Sequence, residues 1–220
     1  MHIAALFLPF ALMQADAAPA GPDRFALCVA LIDQDAERAY EEGMAWAAEA
    51  NELNAYRCAA MALSAQNRHA EAARRLESLG LAVNPERTAL RAELFNQAGN
   101  AWLLAREPGQ ARSALTRAIA TIGSDPAQLP DLLIDRARAY AMEEDWRLAE
   151  EDLSRALDIR GQDALALRLR AAARMHQSSF ELAEADAQAA VALDPENVDS
   201  YLVLGNIRES RRIGAPIEEQ

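Results

Sequence analysis

The sequence is poor in the residues that carry most site chemistry. Its 220 residues include two Cys, three His and only 5% aromatics. His2 lies just before an N-terminal apolar stretch, and no Cys or His pair has the spacing of zinc ligands, so no metal site is expected. No G-x-S-x-G, phosphate-binding loop or G-x-G-x-x-G is present, which removes the commonest hydrolase and nucleotide signatures. The acidic runs Glu143-Glu144-Asp145 and Glu150-Glu151-Asp152 stand beside Arg147 and Arg155 and read as a solvated helix face. We therefore expect no enzyme activity and no cofactor. Positive charge is also in deficit: 22 basic against 34 acidic side chains give a net charge of −12, which argues against a nucleic-acid partner. No apolar run reaches the roughly 18 residues that span a bilayer, so no stable membrane insertion is expected.

What is abundant is Ala and Leu, a composition that favours helix over sheet. Residues 3–13 (IAALFLPFALM) are too short to cross a membrane and suit the core of a signal peptide. Ala15-Asp16-Ala17 fits an A-x-A cleavage site, with Ala18-Pro19-Ala20 as a second. The reading is a signal peptide over 1–17, a linker over 18–22 and a periplasmic or secreted mature chain. If the apolar stretch is not cleaved, the protein is cytosolic.

The body is an internal repeat. Small residues at Ala72, Ala111, Ala149 and Ala183 are spaced by 39, 38 and 34. Ala60, Gly99, Ala137 and Ala171 keep the same spacings twelve places upstream, as do Leu79, Ala118, Ala156 and Ala190 seven places downstream. Three columns in one register define a 34-residue unit with short insertions near 87–91 and 126–129. Small residues at helix crossings let backbones approach, and large residues beside them fill the gaps. A single unit cannot bury its apolar face, so the units must stack. The pattern predicts eleven helices: 24–33, 35–50, 53–66, 69–80, 85–105, 108–122, 130–143, 146–159, 163–176, 179–193 and 198–212. Pro85, Pro108 and Pro130 are placed for first helical turns. Ser178 and Glu181 offer a capping box, and Gly80, Gly123 and Gly161 suit helix C-termini.

The period and its residues resemble the tetratricopeptide repeat. Tyr201-Leu-Val-Leu-Gly205 resembles the start of that consensus, and Ala190-x-x-Leu193-Asp194-Pro195 its last turn. Departures include Arg174 and Arg208, which stand where a late aromatic is usual. The resemblance implies an all-α right-handed superhelix of helix–turn–helix repeats. It comprises one domain over 23–212: a degenerate hairpin 23–52, repeats at about 53–86, 92–125, 130–163 and 164–197, a capping helix 198–212, and a flexible tail 213–220.

Proteins of this type bind extended peptides along the concave face of their first helices. Mapped by register, that groove takes Arg57, Met61, Asn96, Asn100, Arg138, Met142, Arg168 and Met175, with Ser64, Leu103 and Ala172 beside them. Asn bonds a peptide backbone in both directions, Arg holds carboxylates and Met adapts its shape. The expected function is a non-catalytic scaffold of the bacterial envelope that binds protein or peptide there. The alternative is a cytosolic adaptor or co-chaperone of the same fold. Cys28 and Cys58 are an even count in a chain that reads as exported. They lie on first helices of successive units, which places them to form a disulfide.

Overall fold

The computed structural model describes residues 23–123, 125 and 127–217. The expected signal peptide and linker, and residues 218–220 of the expected tail, lie outside the described residues. The described residues form eleven helices and no strand: α1 (Arg24–Ile32), α2 (Ala36–Ala50), α3 (Leu53–Ala65), α4 (His69–Ala82), α5 (Thr88–Leu104), α6 (Pro108–Ile122), α7 (Leu129–Met142), α8 (Trp146–Ile159), α9 (Ala164–His176), α10 (Phe180–Leu193) and α11 (Val198–Ile213). Successive helices pack pairwise into a solenoid, and odd-numbered helices also meet across units, α1 with α3, α5 with α7, α7 with α9 and α9 with α11.

Each repeat turns in the same way. The residue after the first helix's C-cap is left-handed: Asn67, Arg106, Glu144 and Ser178 have φ between 57° and 60°. The next N–H reaches back five residues in each case: Arg68 to the Leu63 carbonyl, Glu107 to Trp102, Asp145 to Tyr140 and Ser179 to Arg174. This is a Schellman closure, and it satisfies carbonyls that the helix end would leave bare. Ser178 is therefore the C′ residue of α9, and the expected capping box is absent. The N-cap of α10 is Ser179, and its side chain makes no capping hydrogen bond.

The columns of small residues are the helix crossings. Ala72, Ala111, Ala149 and Ala183 are fully buried, as are Ala60, Ala137 and Ala171. At Gly99 a Cβ would lie 2.5 Å from Leu115 Cγ, closer than any side chain tolerates. Gly80 behaves likewise. It does not end α4 but sits buried within it, where a Cβ would meet the Phe95 ring at 2.8 Å. Pro85 also departs from expectation: it lies in a turn tied by Asn84, and α5 starts at Thr88. Pro108 and Pro130 do occupy first turns, and Gly123 caps α6 at φ 66°. Gly161 falls one residue past the C-cap Arg160. Beyond Ile213, Gly214 caps α11 in the left-handed region, and Ile217 N–H donates to buried Ser210 Oγ at 3.1 Å.

These crossings predict an overpacking series. Enlarging Ala72, Ala111 or Ala149 to Leu should lower stability by roughly 1–3 kcal/mol each, read as a drop in thermal midpoint. Unchanged midpoints at all three would displace the register.

Candidate functional site

The groove predicted from the register is built where α3 and α5 stand side by side. Met61 and Ser64 of α3, and Asn96, Asn100 and Leu104 of α5, line a groove of about 470 Å³. Leu104 is 58% exposed, an apolar surface left open to solvent. His69, at the start of α4, closes one end and bonds Ser64 Oγ through Nδ1 at 3.1 Å. Asn100 Nδ2 donates to Asn96 Oδ1 at 3.0 Å and to Asp135 Oδ2 at 2.8 Å, which ties α5 to α7.

The remaining predicted groove residues are placed differently. Arg57 is mostly buried, pairs with Glu93 of α5 and lies 5.0 Å from the Phe25 ring centroid. Arg168 bonds Asn197 Oδ1 at 2.8 Å and Asp199 Oδ2 at 3.1 Å, joining α9 to α11. Arg138 is half-exposed and contacts Asp135 at 3.2 Å. Each groove arginine thus meets a carboxylate of this chain, so along this face the two signs balance. Met142 is exposed, but Met175 is not a groove residue: it is 2% exposed, in a core with Ala171, Ala183 and Ile207. The reason is α11, which lies over the C-terminal part of α9 and covers that face.

Two polar columns escaped the sequence reading. Arg136 grips Asp152 with two hydrogen bonds, 2.7 and 2.8 Å, across the α7–α8 crossing. Thirty-four residues on, Arg170 grips Asp186 identically, both bonds 2.8 Å, across α9–α10. Both aspartates are buried. The paired carboxylates hold the Arg136 and Arg170 guanidinium pKa values above their ordinary value, against the opposing effect of burial. The second column joins successive units: Arg174 bonds Glu150 at 2.7 Å and Arg208 bonds Glu184 at 2.9 Å. Arg174 also donates to Asp186 at 2.8 Å. Burial opposes the charge on Glu150, but hydrogen bonds from Arg174 and Gln177 prevail, and its carboxyl sits below the usual range. These are the two arginines that replace the late aromatic. The signal in the sequence is the 34-residue recurrence of Arg, Glu and Asp. All 22 basic side chains are arginine, and the chain contains no lysine.

Cys28 of α1 and Cys58 of α3 are joined as a disulfide, with Cα atoms 6.2 Å apart. Trp146 stacks on His176 with ring centroids 3.9 Å apart. Among the described residues, no group of three or more His, Cys, Asp or Glu is placed to hold a metal ion.

No protein-family model and no curated protein matches this chain. Many solved structures do. The Hsp90 co-chaperone Cns1 from Saccharomyces cerevisiae superposes with a TM-score of 0.54 at 25% identity, over 58% of this chain and 42% of Cns1. The first tetratricopeptide domain of human RPAP3 gives 0.52 at 24% identity, over 59% of this chain and 96% of that one. The first such domain of Spaghetti, solved with the HSP90 peptide SRMEEVD, gives 0.51 at 22% identity, over 59% and 97%. The fold is the stacked helix–turn–helix architecture of these domains. The chain is a tetratricopeptide-repeat solenoid.

Proposed function

We propose that the protein is a non-catalytic scaffold that binds an extended peptide or protein segment in the α3–α5 groove. The observation that carries this reading is the 470 Å³ groove, with apolar Met61 and Leu104 flanking the amides of Asn96 and Asn100. Because Arg57, Arg138 and Arg168 meet internal carboxylates, the groove favours an uncharged segment that inserts an apolar side chain. Screening a displayed peptide library should select sequences whose binding is lost in Met61→Glu and kept in Arg147→Glu, a distant surface change. A library yielding no sequence dependent on Met61 or Asn100 would overturn the reading.

We also propose that it acts in the envelope, outside the reducing cytosol. The apolar segment 3–13 with its A-x-A site, and the placement of Cys28 against Cys58, support this. The similarity to Cns1 favours the other reading, a cytosolic co-chaperone adaptor. The mass of the mature N-terminus separates them: a chain starting at Ala18 or Gly21 supports export, and intact Met1 refutes it.

A further inference from the structure

The net charge of −12 hides a positive waist. Residues 53–123 hold nine Arg against five Glu, a net of +4. On one side, residues 23–52 hold two Arg against eight acidic side chains, and on the other, residues 125–217 hold eleven against eighteen. The ion pairs follow this division. Among the described residues, every Arg of the two acidic flanks is ion-paired. In the waist Arg57, Arg68, Arg75, Arg112 and Arg117 are paired. Arg74, Arg87, Arg91 and Arg106 have no such pair there.

Arg91 donates to the Gly80 carbonyl at 3.1 Å, a structural use. Arg74 and Arg106 have a different setting. With Arg68 and His69 they line a cavity of about 520 Å³ on the rim formed by the α3–α4 and α5–α6 turns, adjoining the end of the concave groove through His69 and Leu104. The Arg74 guanidinium lies 5.7 Å from the Trp102 ring centroid, a contact that restricts its orientation. Arg106 is the left-handed C′ residue of α5, so the Schellman turn sets its position. Glu71 is the one acidic lining residue, and it is already bonded to Arg68 at 2.6 Å and to Arg75 at 3.2 Å. The N-terminus of α4 opens here with no side-chain cap, so the positive end of its dipole adds to the same field.

We propose that this rim cavity is the docking site for a short acidic segment of a partner protein, rich in Asp or Glu. Arg74 and Arg106 would supply the charge-assisted hydrogen bonds, and Leu104 an apolar contact beside them. The acidic flanks on either side select for a short segment, because they repel an extended polyanion such as a nucleic-acid duplex or an anionic bilayer.

The test uses the full chain and an acetylated, amidated fluorescein-labelled (Asp-Glu)4 peptide, followed by fluorescence anisotropy. Saturable binding that weakens with salt is expected. Arg74→Glu with Arg106→Glu should weaken it by about tenfold or more, while the equal charge change in Arg147→Glu with Arg212→Glu leaves it within about twofold. If the Glu pair disturbs the helical spectrum, Arg74→Gln with Arg106→Gln replaces it. Absence of saturable binding, or equal losses in both double variants, would overturn the proposal. So would tighter binding to phosphatidylserine vesicles than to the peptide. Dimerisation of the wild type that is abolished by the Arg74 and Arg106 changes would also overturn it, since the occupant would then be an acidic flank of a second copy.

Discussion

Replacing Asp186 by alanine is expected to destabilise the protein by about 3–5 kcal/mol, because it leaves the buried Arg170 guanidinium without its anion and takes from Arg174 one of its two carboxylates. Arg170 and Arg174 both bond this carboxylate, and they expose only 17% and 15% of their side chains. A neutral side chain in their place would lose little; a stranded guanidinium loses its compensation. Asp199→Ala serves as the reference, since that carboxylate is 70% exposed and its pair with Arg168 is worth about 0–1 kcal/mol. Urea unfolding midpoints measure both. A shift for Asp186→Ala no larger than that for Asp199→Ala would refute the role of the pair. The structure contains the apolar alternative: the positions equivalent to Arg136 and Asp152, one repeat earlier, are Ala98 and Ala114, both fully buried. Arg136→Ala combined with Asp152→Ala should therefore recover much of the loss caused by Asp152→Ala alone.

Breaking the Cys28–Cys58 disulfide should release α1. Cys28 is the one buried residue of that helix, and Leu27 is 55% exposed, so little apolar burial holds α1 in place. Besides the bond, α1 is held by Phe25, partly buried against Trp46, Ala47 and Ala55, by the Arg24–Glu49 ion pair at 2.9 Å and by the contacts of Arg24 with Trp46 and of Phe25 with Arg57. The bond closes a loop of 31 residues, counted from Cys28 through Cys58, for which chain entropy gives about 3–4 kcal/mol. Hydrogen exchange over 24–32 should accelerate by roughly two to three orders of magnitude in Cys28→Ser, while α7–α11 stay protected, since a solenoid transmits little from one end to the other. Equal protection of α1 in the two proteins would mean that the bond is dispensable.

The helices were legible because Ala and Gly mark crossings by size alone, and size shows in any alignment of the chain with itself. Two glycines show the limit. Gly123 is a helix cap and Gly80 a close crossing, and the letter is the same. The difference lies in Phe95, fifteen residues further on in a neighbouring helix. The groove was legible at Met61, Asn96 and Asn100, whose positions follow from the register. It was misread at Met175 because the covering helix α11 belongs to the next unit. The internal partners of Arg57 and Arg168 lie 36 and 31 residues away, so local sequence does not show that they are engaged. The buried Arg–Asp columns were within reach of the same self-alignment, but charged residues at helix positions read first as surface.

A chain whose cations are all guanidinium has no side-chain amine. Ester reagents that acylate amines at neutral pH have one target, the α-amino group at the start of the chain. A dye so attached marks a single site without mutagenesis, and the peptide that carries it reports the N-terminal residue of the purified chain, Met1 if the apolar segment is kept and Ala18 or Gly21 if it is removed.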